Sequence, residues 1–437
     1  MTKTKWGYSL LLSLVLMLGA CGNSGDGGGA ASESSEGSDG NESGEEVTID
    51  LYQFKVEFRE QFENLVATYE EENPNVTINV ETVGGGNDYG ATLKSKIASG
   101  EEPDIFNIGG PQDYEDHKDR IAPIEDSEAI NTALDGTLDS VTIDDQVYGI
   151  PYNLEGYGLI YNKQIFEEAG INPEDLTSME DLQAATEKLD GMKEELGLDA
   201  VYAFPGKERW VYGNHTSSSF LAPEFNNNVT EAFEADTVEF ELSEDLKTYI
   251  DMQADYSVTP VLSLDYSQQV EALYSMGKVA MIQQGNWAYP SIEQIAPEVA
   301  EDSGILPIPV EGEAKMPVGV PQYWVVNSGA EENVQKAAVE FLDWIYTSDE
   351  GKEIVLNEFN FIPAYEDYDT SQISDPLSKE IYEYTEEGNT SGWVFLGYPT
   401  GFSEDVFGNN VQQYLSGEIT WEEVIENSKS YWEENRK

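Results

Sequence analysis

Gly149-Ile150-Pro151-Tyr152-Asn153-Leu154-Glu155-Gly156-Tyr157-Gly158-Leu159-Ile160-Tyr161-Asn162-Lys163 is the stretch on which the reading of this chain turns. Apolar residues lie at both ends, Ile150 on one side and Leu159, Ile160 and Tyr161 on the other, around a polar centre that holds Asn153, Glu155, Gly156 and Gly158. The pattern reads as two strand pieces, with a helix over 164–169 to follow. Upstream, 47–52 reads as a strand, and Phe58, Phe62, Leu65, Val66 and Tyr69 fall at helical spacing before Asn73-Pro74 ends the run. Val76, Ile78 and Val80 then alternate as a strand, a helix carrying Leu93 and Ile97 stops at Gly100, and Pro103-Asp104-Ile105-Phe106 opens a further strand. Successive β-α-β units of this kind predict an α/β domain with a largely parallel sheet. Ligands on such sheets bind beyond the carboxyl ends of the strands, here the loops at Phe54-Lys55, 84–89 and 107–113.

The only cysteine, Cys21, closes Leu18-Gly19-Ala20-Cys21. Lys3 and Lys5 precede an apolar run too short to span a bilayer, so 1–20 reads as a removed signal peptide and Cys21 as a lipid-modified N-terminus. Two acyl chains hold a protein at a membrane stably where one does not. The segment 21–46 is rich in Gly, Ser, Asn, Asp and Glu, cannot bury a core, and reads as a flexible acidic leash. The expected location is therefore the extracellular face of the cell membrane, with the lipid as sole membrane contact.

Lys plus Arg number 22 and Asp plus Glu 85, a formal charge of −63. Nucleic acid and anionic lipid surfaces are excluded as partners, because a phosphate backbone would be repelled and no basic stripe opposes that. An acidic balance this large points to a surface adapted to high external salt, or alternatively to an alkaline habitat. With no second cysteine there is no disulfide, so folding rests on the core. The 8 Trp, 25 Tyr and 16 Phe are ample for two domains.

Several motifs besides 149–163 recur in a fixed order: 93–105 with its Gly and Pro-Asp-Ile; Gly277-Lys278-Val279-Ala280-Met281, then Gly285-Asn286-Trp287; Val318-Gly319-Val320 leading to Val326-Asn327; the helical run ending in Thr347-Ser348-Asp349-Glu350-Gly351; and Phe361-Ile362-Pro363-Ala364. Together they resemble the extracellular solute-binding proteins (family 1, maltose-binding-protein-like) that serve carbohydrate ABC importers. The resemblance covers essentially all of the chain after the leash. It implies a periplasmic-binding-protein-like α/β fold of two lobes, 47–155 with 312–367 and 156–311 with 368–437, joined by crossing strands near 154–158, 307–313 and 365–370. A di- or oligosaccharide, with the raffinose or α-galactoside type as the first expectation, would lie in the cleft, and closure would create the surface that the importer's membrane subunits recognise.

A sugar ring needs flat apolar faces for its C–H surface and planar polar groups for its hydroxyls. By resemblance Trp287 falls on the family's stacking tryptophan and Glu155 on its acidic ligand residue. Tyr323 and Trp324 are neighbours on a strand, so one should face the cleft and the other the core. Trp210, Tyr212 and His215, and Trp393 with Phe395, either line the cleft or pack beneath a loop; Phe402 falls near another aromatic cleft position. The polar candidates are Lys55, beside Phe54, with Asp88, Asn107, Gln112, Asp113 and Asn286, all on loops aimed at the proposed cleft. At Asn107-Ile108 and at Asn286 the chain departs from maltose-binding protein, which argues against maltose itself.

The alternatives are a peptide-binding importer subunit and a secreted glycoside hydrolase, which would need a carboxylate pair about 5 to 9.5 Å apart. No nucleophile elbow, His-Glu-x-x-His or phosphate loop is present, and the histidines are just His117 and His215. The expectation is therefore a non-enzyme without cofactor or metal, acting as a monomer; calcium stays open.

Overall fold

The computed structural model describes residues 46–83 and 89–436. The expected signal peptide, Cys21, nearly all of the leash, and Asp88 lie outside the described residues. Strand β1 (Val47–Gln53) alternates as its sequence requires, with Val47, Ile49 and Leu51 buried and Thr48 and Asp50 exposed. Helix Arg59–Glu72 buries Phe62, Leu65, Val66 and Tyr69, the stripe set by their spacing. It stops at Asn73, whose backbone N–H and side-chain amide both donate to the Tyr69 carbonyl, ahead of Pro74. Strands β2 (Val76–Thr82) and β3 (Ile105–Ile108) then pair parallel to β1 on its two sides.

The rest of this sheet comes from further along. β4 (Ile150–Pro151) forms one edge, and β10 (Tyr323–Val326) runs antiparallel between β3 and β4, in the order β2-β1-β3-β10-β4. The sheet is thus parallel over β1 to β3 and mixed beyond. Nothing near 105 in sequence announces a partner that arrives more than 200 residues later.

A second sheet is built on β5 (Glu155–Asn162). It contains β6 (Ala200–Tyr202), β7 (Val279–Gly285), β9 (Met316–Gly319) and β11 (Thr390–Ser391) in the order β11-β9-β5-β7-β6, and β8 (Ser303–Leu306) pairs with β5 as well. All eight residues of β5 are buried, since both faces are covered. Tyr157, Leu159 and Tyr161 enter one core, and Ile160 points into the other, which is continuous with the core of the first sheet. Two glycines make the fit possible. A Cβ at Gly158 would lie 2.1 Å from the Leu306 carbonyl oxygen, and one at Gly156 would lie 2.7 Å from Ile381.

The segment 149–163 carries β4 in the first sheet and β5 in the second, with Tyr152-Asn153-Leu154 between them. Val318 and Gly319 of β9 still pair with Gly156 and Glu155, and Val320-Pro321-Gln322 leads from β9 into β10 of the first sheet. Further on, Tyr365 bridges Ala133 beside the first sheet, and helix Pro376–Glu386 packs on β5, β8 and β9. Among the described residues no helix is long and apolar enough to cross a membrane, and no group of three His, Cys, Asp or Glu is placed to hold a metal ion.

Candidate functional site

At the end of β7 the chain turns sharply at Gly285, where a Cβ would collide with the Trp287 ring at 2.2 Å and the Gly156 carbonyl at 2.4 Å. The corner thus requires glycine and lays the indole back over the strand end. Trp287 Nε1 donates to Gln284 Oε1 at 2.8 Å, Gln284 Nε2 to Gln269 Oε1 at 2.7 Å, and Gln269 Nε2 to the Ala203 carbonyl at 2.8 Å. This buried relay holds the ring in one orientation.

Around Trp287 the structure gathers residues from three distant segments. His215, on the wide helical turn Val211–Thr216, lies 5.1 Å from Trp287, 5.3 Å from Trp210, 5.7 Å from Trp393 and 5.5 Å from Phe395, and stacks on Tyr157 at 4.3 Å and 15°. Trp210 and Trp287 are 6.2 Å apart, and Trp393 and Phe395 5.4 Å. His215 and Trp393 are buried; Trp210, Trp287 and Phe395 keep part of their surface open. Burial pushes the His215 imidazole down to about 3, so at neutral pH the ring is uncharged. The cluster therefore offers flat apolar faces with no cation at its centre. Tyr157, which sequence reasoning missed, is its floor; the one signal was its place between two glycines in the polar centre of 149–163.

The polar candidates divide into groups that the fold has already paired and groups it has not. Lys55 Nζ forms an ion pair with Glu155, both side chains being at least nine-tenths buried, and Asn153 Nδ2 lies 3.4 Å from the same Glu155 oxygen. Lys55 also sits over the rings of Phe54, Phe58 and Phe361 at 5.3–5.7 Å. Lys55 and Glu155 thus face each other across the start of the crossing strand. Asn286 accepts from the Gly156 N–H at 3.2 Å and donates to Ser378 Oγ at 3.0 Å. Ser378 Oγ donates to Asp375 Oδ2 at 2.5 Å, and Asp375 also caps helix Pro376–Glu386 through the N–H groups of Leu377 and Ser378. Glu155, Asn286, Trp287 and Asp375 all border one small cleft.

Phe54 packs edge-on against Tyr152 at 5.3 Å and Tyr89 at 6.3 Å. Asn107, at the carboxyl end of β3, is buried and neither side-chain polar atom has a partner. Asp113 Oδ2 accepts from the Gly109 N–H at 2.8 Å, and Gln112 donates to Asp116 and accepts from Arg436 at 2.9 Å.

The structure buries three of the aromatic candidates. Trp324 is fully buried in the first core, stacked on Tyr152 at 4.8 Å with its N–H on Tyr346. Tyr323 takes the opposite face as alternation demands, yet it too is buried and donates to the Thr137 carbonyl. Phe402 belongs to the second core, 4.9 Å from Trp432 and 5.2 Å from Tyr398. In each case a second layer covers a face that a lone strand or loop would leave open. Tyr212 is likewise buried, stacked on Phe204.

Residues 64–380 match the model of the bacterial extracellular solute-binding proteins. The chain belongs to that family. A multiple sugar-binding protein of Streptococcus mutans is 24% identical over 58% of this chain, so the match spans only 60% of that relative's length. Among solved structures, a chitin oligosaccharide binding protein superposes with a TM-score of 0.74 at 21% identity, covering 89% of this chain and 99% of that one. RafE in complex with raffinose gives 0.73 at 18% identity, covering 89% and 100%. These likenesses bear out the family read from the motifs and the two-lobed α/β fold that it implied.

Proposed function

We propose that this protein captures a di- or oligosaccharide, of the raffinose or another α-galactoside type, in the cleft between its lobes and hands it to the membrane subunits of an ABC importer. The observation that carries this is the cluster of Trp210, Trp287 and Phe395 around neutral His215, with the amide of Asn286 and the Glu155 carboxylate beside it. Flat apolar faces edged by planar polar groups are what a pyranose ring needs. Sugar-binding relatives and the raffinose-bound structural neighbour support the same reading. The protein acts by binding and closure rather than by catalysis. Lobe limits at 47–155 with 312–367 and 156–311 with 368–437 remain part of the proposal, as does anchoring through Cys21; a Cys21→Ser protein is expected to leave the membrane fraction for the medium.

A thermal-shift panel of mono-, di- and oligosaccharides, with amino acids and short peptides as controls, tests the function. In molar salt, a sugar at about 100 times its Kd is expected to stabilise the protein by about 2.7 kcal/mol. Trp287→Ala is expected to weaken binding about 100-fold, as for a large aromatic anchor. Shifts with peptides alone, or consumption of the sugar, would overturn the reading. The same melts without salt test the acidic-surface expectation, which fails if the melting temperature is unchanged.

A further inference from the structure

A buried relay of hydrogen bonds runs behind Asn286. Asp375 caps helix Pro376–Glu386, Ser378 Oγ donates to Asp375 Oδ2, Asn286 Nδ2 donates to Ser378 Oγ, and Asn286 Oδ1 accepts from the Gly156 N–H. Asp375, Ser378 and Asn286 are all buried. The relay is fixed at both ends. Ile381, on the capped helix, lies so close to β5 that a Cβ at Gly156 would meet it at 2.7 Å, and Asn286 is the residue before Trp287. A carboxylate on the helix is thus connected to the start of β5 and to the corner that carries Trp287.

The donors and acceptors of this relay can be counted. An asparagine amide has two N–H donors and an oxygen with two lone pairs. Gly156 uses one lone pair and Ser378 one N–H, which fixes the way the Asn286 amide faces and leaves one N–H and one lone pair for neighbouring hydroxyls of a ligand. The Ser378 hydroxyl has a single hydrogen. A charged Asp375, an acceptor only, holds that hydrogen, and Ser378 must then accept from Asn286. A neutral carboxyl is a weaker acceptor and brings a hydrogen of its own, so it frees the Ser378 hydroxyl to turn; turned toward Asn286, its hydrogen meets an N–H. Burial raises the Asp375 carboxyl to about 7, so both forms occur near neutrality. The ionisable groups around it are Glu293 and Tyr289 on helix Tyr289–Ile295, and Glu155, paired with Lys55, on the border of the same small cleft. A carboxylate perturbed in this way beside a cleft is a candidate for a functional role.

We propose that Asp375 is a positioning residue for the ligand: in its charged form it holds Asn286, through Ser378, in the orientation that receives sugar hydroxyls, and protonation slackens that hold, so affinity falls as the solution is acidified. The inference rests on the sugar-binding reading and deepens it, since binding of the sugar becomes coupled to release of a proton. Sign and linkage agree: a ligand that prefers the charged form draws the proton off Asp375.

Calorimetric titration with raffinose, or with stachyose if the thermal panel favours it, tests this at constant salt. The parent protein is expected to bind about tenfold more tightly at about pH 8.5 than at about pH 5.5, the difference between a charge-assisted and a neutral hydrogen bond. Near neutrality, heats measured in buffers of different ionisation enthalpy are expected to show release of a fraction of a proton. His215, held down to about 3 by burial, stays uncharged over this range. Asp375→Asn keeps the cap and removes the charge, and is expected to bind at every pH with the parent's acid-side affinity and to release no proton. Ser378→Ala breaks the relay with Asp375 in place and is expected to give the same flat profile. A role in capping alone would change the melting temperatures of these variants and leave the pH profile of affinity in place. A parent affinity that does not change with pH, or a pH dependence that survives in Asp375→Asn or Ser378→Ala, overturns the positioning role. Absence of binding to any sugar of the panel would instead overturn the proposed function itself, so the two failures are distinct.

Discussion

Lys55→Met is expected to lower the stability of the protein by about 3–5 kcal/mol, the range for breaking a buried ion pair by removing one partner. Lys55 and Glu155 stand 100 residues apart in sequence, and their side chains are only 3% and 7% exposed. Among the described residues, deleting the ammonium leaves the Glu155 carboxylate with the 3.4 Å contact from Asn153 Nδ2. Water reaches it poorly, so most of the desolvation cost goes uncompensated. Replacing both partners by apolar residues of similar size removes the charge along with its partner. The pair Lys55→Met with Glu155→Leu is therefore expected to regain most of the loss. Urea denaturation at constant salt measures both variants. A single substitution that costs under about 1 kcal/mol, the value typical of exposed pairs, would show that the site is wet and the two groups are not coupled.

The second large effect is set by Asp375. Burial, with Glu293 nearby adding a smaller push, raises its carboxyl to about 7 from an ordinary 3.8, against the pull of the donors from Ser378 and Leu377. Glu293 lies on helix Tyr289–Ile295, and Glu155, already paired with Lys55, borders the same small cleft. The folded state thus holds this proton more tightly than the unfolded chain. Stability from this group is complete below about pH 4, declines as the pH rises toward 7, and is constant above that. Three units at about 1.4 kcal/mol each make a total of about 4 kcal/mol. Asparagine at 375 caps the helix as well as aspartate and carries no charge. Asp375→Asn is therefore expected to match the parent at about pH 3.5 and to exceed it by a few kcal/mol at pH 8. Comparing the two proteins at each pH cancels the titration of the other carboxylates. A variant that is less stable than the parent at pH 8 would mean that the ionised carboxylate is the favoured form.

Local patterns in the chain carried far because they depend on neighbours in sequence. Phe62, Leu65, Val66 and Tyr69 had to share one helix face, and β1 had to alternate. Trp287 could be read as a cleft aromatic because it follows an apolar strand, where a core residue is more usually aliphatic, and because by resemblance it falls on the family's stacking tryptophan. Trp210, His215, Trp393 and Phe395 were legible as aromatics on loops, but nothing local said that they converge on Trp287. Asp375 and Ser378 escaped notice altogether, since a capping aspartate before a proline is ordinary until burial and Asn286 give it a role.

The sequence by itself determined the acidic charge and the β-α-β order, which follow from composition and short-range spacing, and through resemblance it supplied the family motifs and the residue types of the proposed sugar site. Tertiary structure alone decided which of those residues stay available. It set Lys55 against Glu155, enclosed Tyr323, Trp324 and Phe402 under second layers, and slid β10 antiparallel between β3 and β4. The physical reason is that burial and ion pairing depend on which surfaces meet, and those surfaces come from segments 92 to 100 residues apart in these two contacts.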